Sequence, residues 1–63
     1  MCLSSVYERK SGSETLVLDN VMKLVVNKEM VTLMDIMGME ATVYGVIKSI
    51  DLVKNTIMID ATD

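Results

Sequence analysis

Apolar residues in this sequence recur with a period of two rather than 3.6, and valine, isoleucine and threonine fill the apolar stretches. Both features belong to strands with one face buried. Six short strands are predicted. The first covers residues 2–9, with Leu3, Ser5 and Tyr7 on one face and Cys2, Ser4 and Val6 on the other. Lys10-Ser11-Gly12-Ser13 is polar and contains glycine, so it is a turn. A second strand over residues 15–19 points Leu16 and Leu18 one way and Val17 the other, and Asp19-Asn20 is expected to break it. A third spans residues 21–26, opposing Met22, Leu24 and Val26 to Val21, Lys23 and Val25. Asn27-Lys28-Glu29 then turns the chain into a fourth strand over residues 30–35, completing a hairpin.

Ile36-Met37-Gly38 is the next reversal, with the glycine free to take the positive φ its apolar neighbours resist. The fifth strand, residues 40–51, is the longest and has to bend in so small a domain; Gly45 is the expected place for a bulge or a close backbone approach. Ile47 and Ile50 lie three apart, so strict alternation fails. A second bulge near Lys48-Ser49, or a change of sheet, would return both to the core. Leu52-Val53-Lys54-Asn55 links to a last strand over residues 56–61, where Ile57 and Ile59 face inward and Met58 outward. No window places apolar residues at helical spacing between caps. The pattern therefore implies an all-β fold: one domain over residues 1–63, built as a small SH3-like barrel or a curled antiparallel sheet of five to six strands.

Size changes this picture. A chain of 63 residues buries only about 60% of its unfolded surface, and small domains usually need a disulfide, a metal or a partner. One cysteine cannot form an intrachain disulfide, which favours oligomerisation. Val17, Val25 and Met58 are expected to remain exposed on a monomer, as residues of a homodimer interface would. Two tyrosines, no phenylalanine and no tryptophan make the core aliphatic. Of the seven methionines, most are expected as core filler and some at an interface. A net charge of −3 with scattered lysines gives no basic stripe for nucleic acid, and Tyr7 and Tyr44 form no stacking platform. No apolar run approaches the roughly 18 residues of a membrane span and no leader opens the chain, so a cytoplasmic protein without membrane contact is expected.

The search for chemistry is short. There is no histidine, so neither a Ser-His nor a Cys-His nucleophile can be assembled, and no enzyme is expected. The carboxylates sit mostly at turns and strand ends, where solvated charges belong; Asp51 is read as a cap on the turn after it. Gly12, Gly38 and Gly45 are too scattered for a phosphate loop. What remains is Cys2. A small second residue permits removal of the initiator methionine, which leaves Cys2 with an α-amine and a thiol on adjacent carbons. These titrate near about 8 and 8.5, and together they close a five-membered N,S chelate. Nitrogen plus thiolate in a planar arrangement suits Ni(II) or Cu(II). One such residue supplies half a square-planar shell; a second Cys2 across a two-fold axis, or deprotonated backbone amides at Leu3, would supply the rest.

Met1-Cys2-Leu3-Ser4-Ser5-Val6-Tyr7 at one end, and Gly45-Val46-Ile47-Lys48-Ser49-Ile50-Asp51-Leu52 followed by Asn55-Thr56-Ile57 at the other, resemble the CooT family of nickel-binding proteins, accessory to carbon monoxide dehydrogenase maturation. The resemblance implies a small β-barrel-like homodimer. It implies that Cys2 is the nickel ligand, with its own α-amine and the partner's Cys2 as companions, and that Ni(II) passes to a nickel enzyme as client. Gly45 and Asp51 take no binding role from it. Methionines 22, 30, 34, 37 and 39 exceed what the family leads one to expect. The competing reading is a metal-free barrel that binds peptide or RNA, which calls for a groove lined by aromatic or basic groups.

Overall fold

The computed structural model describes residues 3–62. Five strands, β1 (Ser4–Lys10), β2 (Ser13–Asn27), β3 (Met30–Asp35), β4 (Glu40–Asp51) and β5 (Thr56–Ala61), close into a barrel in chain order. The all-β expectation holds. Each of the four connections reverses the chain, so the first and fifth strands run the same way. A five-strand meander thus closes only through one parallel seam, and Ser5–Arg9 of β1 lies parallel to Thr56–Asp60 of β5. The other four pairings are antiparallel. At the far end of the seam from Ser5, Arg9 Nε and Asp60 Oδ1 form a surface ion pair at 3.4 Å.

The predicted second and third strands are one. Asp19-Asn20 does not break β2 but bulges it: Ser4 pairs with Val21 and Val6 with Leu18, so two residues of β2 oppose Ser5 alone. Asn20 carries the strain with φ 53°, a conformation asparagine tolerates because its short amide hydrogen-bonds locally. A second irregularity lies at Val17, between the pairs Val6 with Leu18 and Tyr7 with Leu16. It turns Val17 and Leu18 both against the core and leaves Leu16 exposed, which corrects the opposed faces read from alternation. A third, at Met22 between the pairs Val21 with Asp35 and Lys23 with Met34, places Val21 and Leu24 on the core side although they are three apart. Each bulge adds twist, and the three together coil one 15-residue strand around the barrel.

β4 bends at the expected residue. It pairs with β3 through Tyr44 and with β5 from Gly45 onward, so Gly45 is where the strand changes partner. A Cβ there would meet the Asp60 carbonyl oxygen and the Ala61 Cα of β5. The expected bulge between Ile47 and Ser49 is present and turns Ile47 against the core. It does not recover Ile50, which stays 54% exposed, because β4 has by then reached the barrel rim.

The core is aliphatic as expected: Val6, Val21, Val31, Leu33, Val43, Ile57 and Ile59. Five strands leave a narrow interior that short, branched side chains fill. The expectation that most methionines fill the core is overturned, since every described methionine is half-buried or exposed. Val25 is exposed as predicted, whereas Val17 and Met58 are half-covered.

Gly45→Ala is expected to destabilise the fold by about 1–3 kcal/mol, the usual range for overpacking, because its neighbours at that point are backbone rather than pliable side chains. Thermal unfolding should show a Tm lower by about 4–8 °C per kcal/mol. An unchanged Tm would contradict the close approach of β4 and β5.

Candidate metal centre

Cys2 lies outside the described residues. The geometry available is that of the strand it leads into. Leu3 is half-buried and β1 begins at Ser4. At the next residue the strand is tied on both sides. The Ser5 N–H donates to the Asn55 carbonyl oxygen at 2.8 Å, joining β1 to the turn before β5. The Ser5 hydroxyl donates to Asp19 Oδ1 at 2.6 Å, and the Asn20 N–H donates to the same oxygen at 2.9 Å. Across β2 the Asn20 carbonyl accepts from the Ile36 N–H at 3.0 Å. One lateral chain of hydrogen bonds thus runs from the β4–β5 turn through Ser5 and the β2 bulge to the β3–β4 turn.

Asp19 carries this chain as a carboxylate. The Ser5 hydroxyl first, and the Asn20 backbone N–H second, hold its acid dissociation below the ordinary value of 3.8, against a smaller opposing effect of desolvation. Both donors bond to the ionised form and so favour it. Nothing in the polar pattern singled out this role; the available signal was that Asp-Asn is a turn dipeptide, which is also what made it look like a strand end.

Two further aspartates hold the flanking turns. Asp51 Oδ1 accepts from the Val53 and Lys54 N–H groups at 3.0 and 2.9 Å, the capping role expected for it, and Asn55 closes that turn at φ 54°. Asp35 Oδ1 accepts from the Met37 and Met39 N–H groups at 2.9 Å each, a role sequence reasoning did not assign. Gly38 there has φ 86°, the positive value expected of it.

Among the described residues no three His, Cys, Asp or Glu side chains are grouped to hold a metal ion, and no helix is long and apolar enough to cross a membrane. The two tyrosines are far from forming a joint platform. Tyr7 lines a hollow of about 300 Å³ with Met58, Glu14, Asp51 and Lys54, and Tyr44 lines a separate one with Lys28, Glu29 and Met30.

The sequence matches the CooT family, described as CO dehydrogenase accessory protein CooT, over residues 1–60. A crystal structure assigned to CooT from Carboxydothermus hydrogenoformans is similar to this chain at 29% identity and a TM-score of 0.86, covering 98% of this chain and all of that one. Among curated proteins none matches.

Because its pKa is depressed in the fold, Asp19 contributes stability that is present above its unfolded value and lost as pH falls through the folded one. NMR titration should find its carboxyl below the ordinary aspartate value, and Ser5→Ala should move it upward. An Asp19 titration indifferent to Ser5→Ala would remove the hydroxyl from the anchor.

Proposed function

This chain belongs to the CooT family of CO dehydrogenase accessory proteins, and from that premise we propose that it is a cytoplasmic nickel(II) metallochaperone whose homodimer binds its cargo through Cys2. An accessory protein serves an enzyme rather than catalysing; here the client is a nickel enzyme of the carbon monoxide dehydrogenase type. The observation that carries the reading is the family match, which includes the Met1-Cys2-Leu3 start. Chemistry supports it: Cys2 is the one cysteine in a chain without histidine.

Removal of Met1 frees the Cys2 amine, and loss of a proton from amine and thiol gives a five-membered N,S chelate. Two such half-sites on a two-fold axis make a planar N2S2 set for a soft divalent ion. Nickel is cargo, so it has to leave again. A ligand set built from chain starts can be distorted by a recipient while Ser5, tied to Asn55 and Asp19, keeps β1 in the barrel. Opening confined to a terminus requires far less free energy than unfolding. Retention of Met1 would convert the amine to an amide and weaken the chelate.

The competing reading, a metal-free module for peptide or RNA, asks for an aromatic or basic groove. The separate tyrosine hollows, with one lysine each, do not favour it.

Mass spectrometry is expected to show the chain without Met1. Calorimetric titration should find tight Ni(II) binding that weakens as pH falls below about 8, where amine and thiol hold their protons. Cys2→Ser should lose that binding. Nickel affinity unchanged in Cys2→Ser would overturn the proposal.

A further inference from the structure

We propose that the hollow beside Tyr7 is a binding site for a small zwitterion of the amino-acid class, a molecule with an ammonium group at one end, a carboxylate at the other and an apolar body between. The inference stands apart from the nickel reading and needs neither Cys2 nor a second chain.

The floor of the hollow is one register row across the outer face of the barrel wall. Tyr7 of β1 pairs with Met58 of β5, and Met58 pairs with Ser49 of β4; all three line the space. Val6, Ile57 and Ile59, which flank Tyr7 and Met58 along their strands, belong to the core, so alternation turns Tyr7 and Met58 outward. The two ends of the hollow lie at different levels of the same strands. At one end is Glu14, paired with Arg9 of β1. At the other, Ser5 of β1 is level with Thr56 and Thr56 with Asp51, and Lys54 belongs to the turn that joins those two. From Ser5 to Arg9 the strand advances about 13 Å, four steps of the usual strand rise. A volume of about 300 Å³ lies at the lower end of ligand cavities, which suits a small molecule.

Charge defines the occupant. Glu14 and Lys54 both border the hollow, and both are exposed, yet among the described residues neither is in an ion pair. Arg9, which stands between Glu14 and Asp60 in the register, bridges to Asp60. Asp51, at the lysine end, has its Oδ1 taken by two backbone N–H groups, and this fixes the backbone from which Lys54 projects. One unpaired anion and one unpaired cation thus face a shared space from opposite ends. Between them lie an aromatic ring, a thioether and the hydroxyls of Ser49 and Thr56. A ligand with a single charge satisfies one end and leaves the other bare. A zwitterion satisfies both, and its methylene groups cover Tyr7 and Met58. The hollow at Tyr44 lacks this arrangement, since its Lys28 and Glu29 are adjacent in one turn.

Two-dimensional NMR of the full chain, titrated with ε-aminocaproate, tests the site. The amides of Tyr7, Ser49 and Met58 should shift together and saturably. Hexylammonium and caproate, each carrying one of the two charges, should bind about fivefold more weakly, as the loss of one exposed ion pair implies. The shorter γ-aminobutyrate, whose charges stand too close to reach both ends, should also bind more weakly. Glu14→Gln and Lys54→Gln should each remove the preference for the zwitterion over one singly charged analogue, while circular dichroism shows an intact fold, both side chains being exposed. Lys28→Gln, at the Tyr44 hollow, should change nothing, and Cys2→Ser should bind ε-aminocaproate like the native chain. No saturable shift at these amides, or hexylammonium or caproate binding as tightly as the zwitterion, would overturn the inference and leave the nickel reading standing.

Discussion

Four reversing turns make the first and last of five strands run the same way, so this barrel closes only through a parallel seam between β1 and β5. Parallel neighbours need a long connection between them, and here the rest of the barrel is that connection. The seam fixes the surroundings of the chain's start. It puts the β4–β5 turn beside Leu3, hands the Ser5 N–H to Asn55, and leaves the hydroxyl of Ser5 for Asp19. Leu3 thus leads into a strand held on both flanks at Ser5, on the side of an apolar turn that is itself held by Asp51.

The price of closing so few strands is curvature, and the chain meets it at identifiable residues. Asn20 at φ 53°, the extra residues Val17 and Met22 on β2, Gly45 pressed against β5 and the irregularity between Ile47 and Ser49 are all devices that bend or twist a strand. The interior that results admits valine, isoleucine and leucine and no methionine among the described residues. Methionine is displaced to the outer faces and turns, where its flexibility suits contact rather than packing.

These same devices decide what could be read from residue order alone. Period-two patterning and β-branched composition located β1, β3, β4 and β5 and divided β2 in two, and Gly45 and Lys48-Ser49 announced their irregularities because glycine and a broken alternation are local signals. The bulge at Asp19-Asn20 was illegible as such, since a turn dipeptide looks alike whether the strand ends or merely kinks. Val17 and Leu18 were misassigned for a related reason: one inserted residue inverts every face beyond it, and its position is set by the partner strand. The parallel seam follows from counting, once five strands rather than six are known. Cys2 stood out by its chemistry, but Asp19 and Asp35 did not, because nothing in a lone aspartate tells which N–H groups it will meet.

The proposed function sets beside this barrel, whose closure holds Ser5 on both flanks, a cargo shared by Cys2 of two chains. Nickel K-edge X-ray absorption on the loaded protein measures that junction directly. The account predicts two sulfur and two nitrogen neighbours for each ion, one ion per two chains. A shell of oxygen and nitrogen alone, or one sulfur per nickel with an ion on every chain, would contradict it.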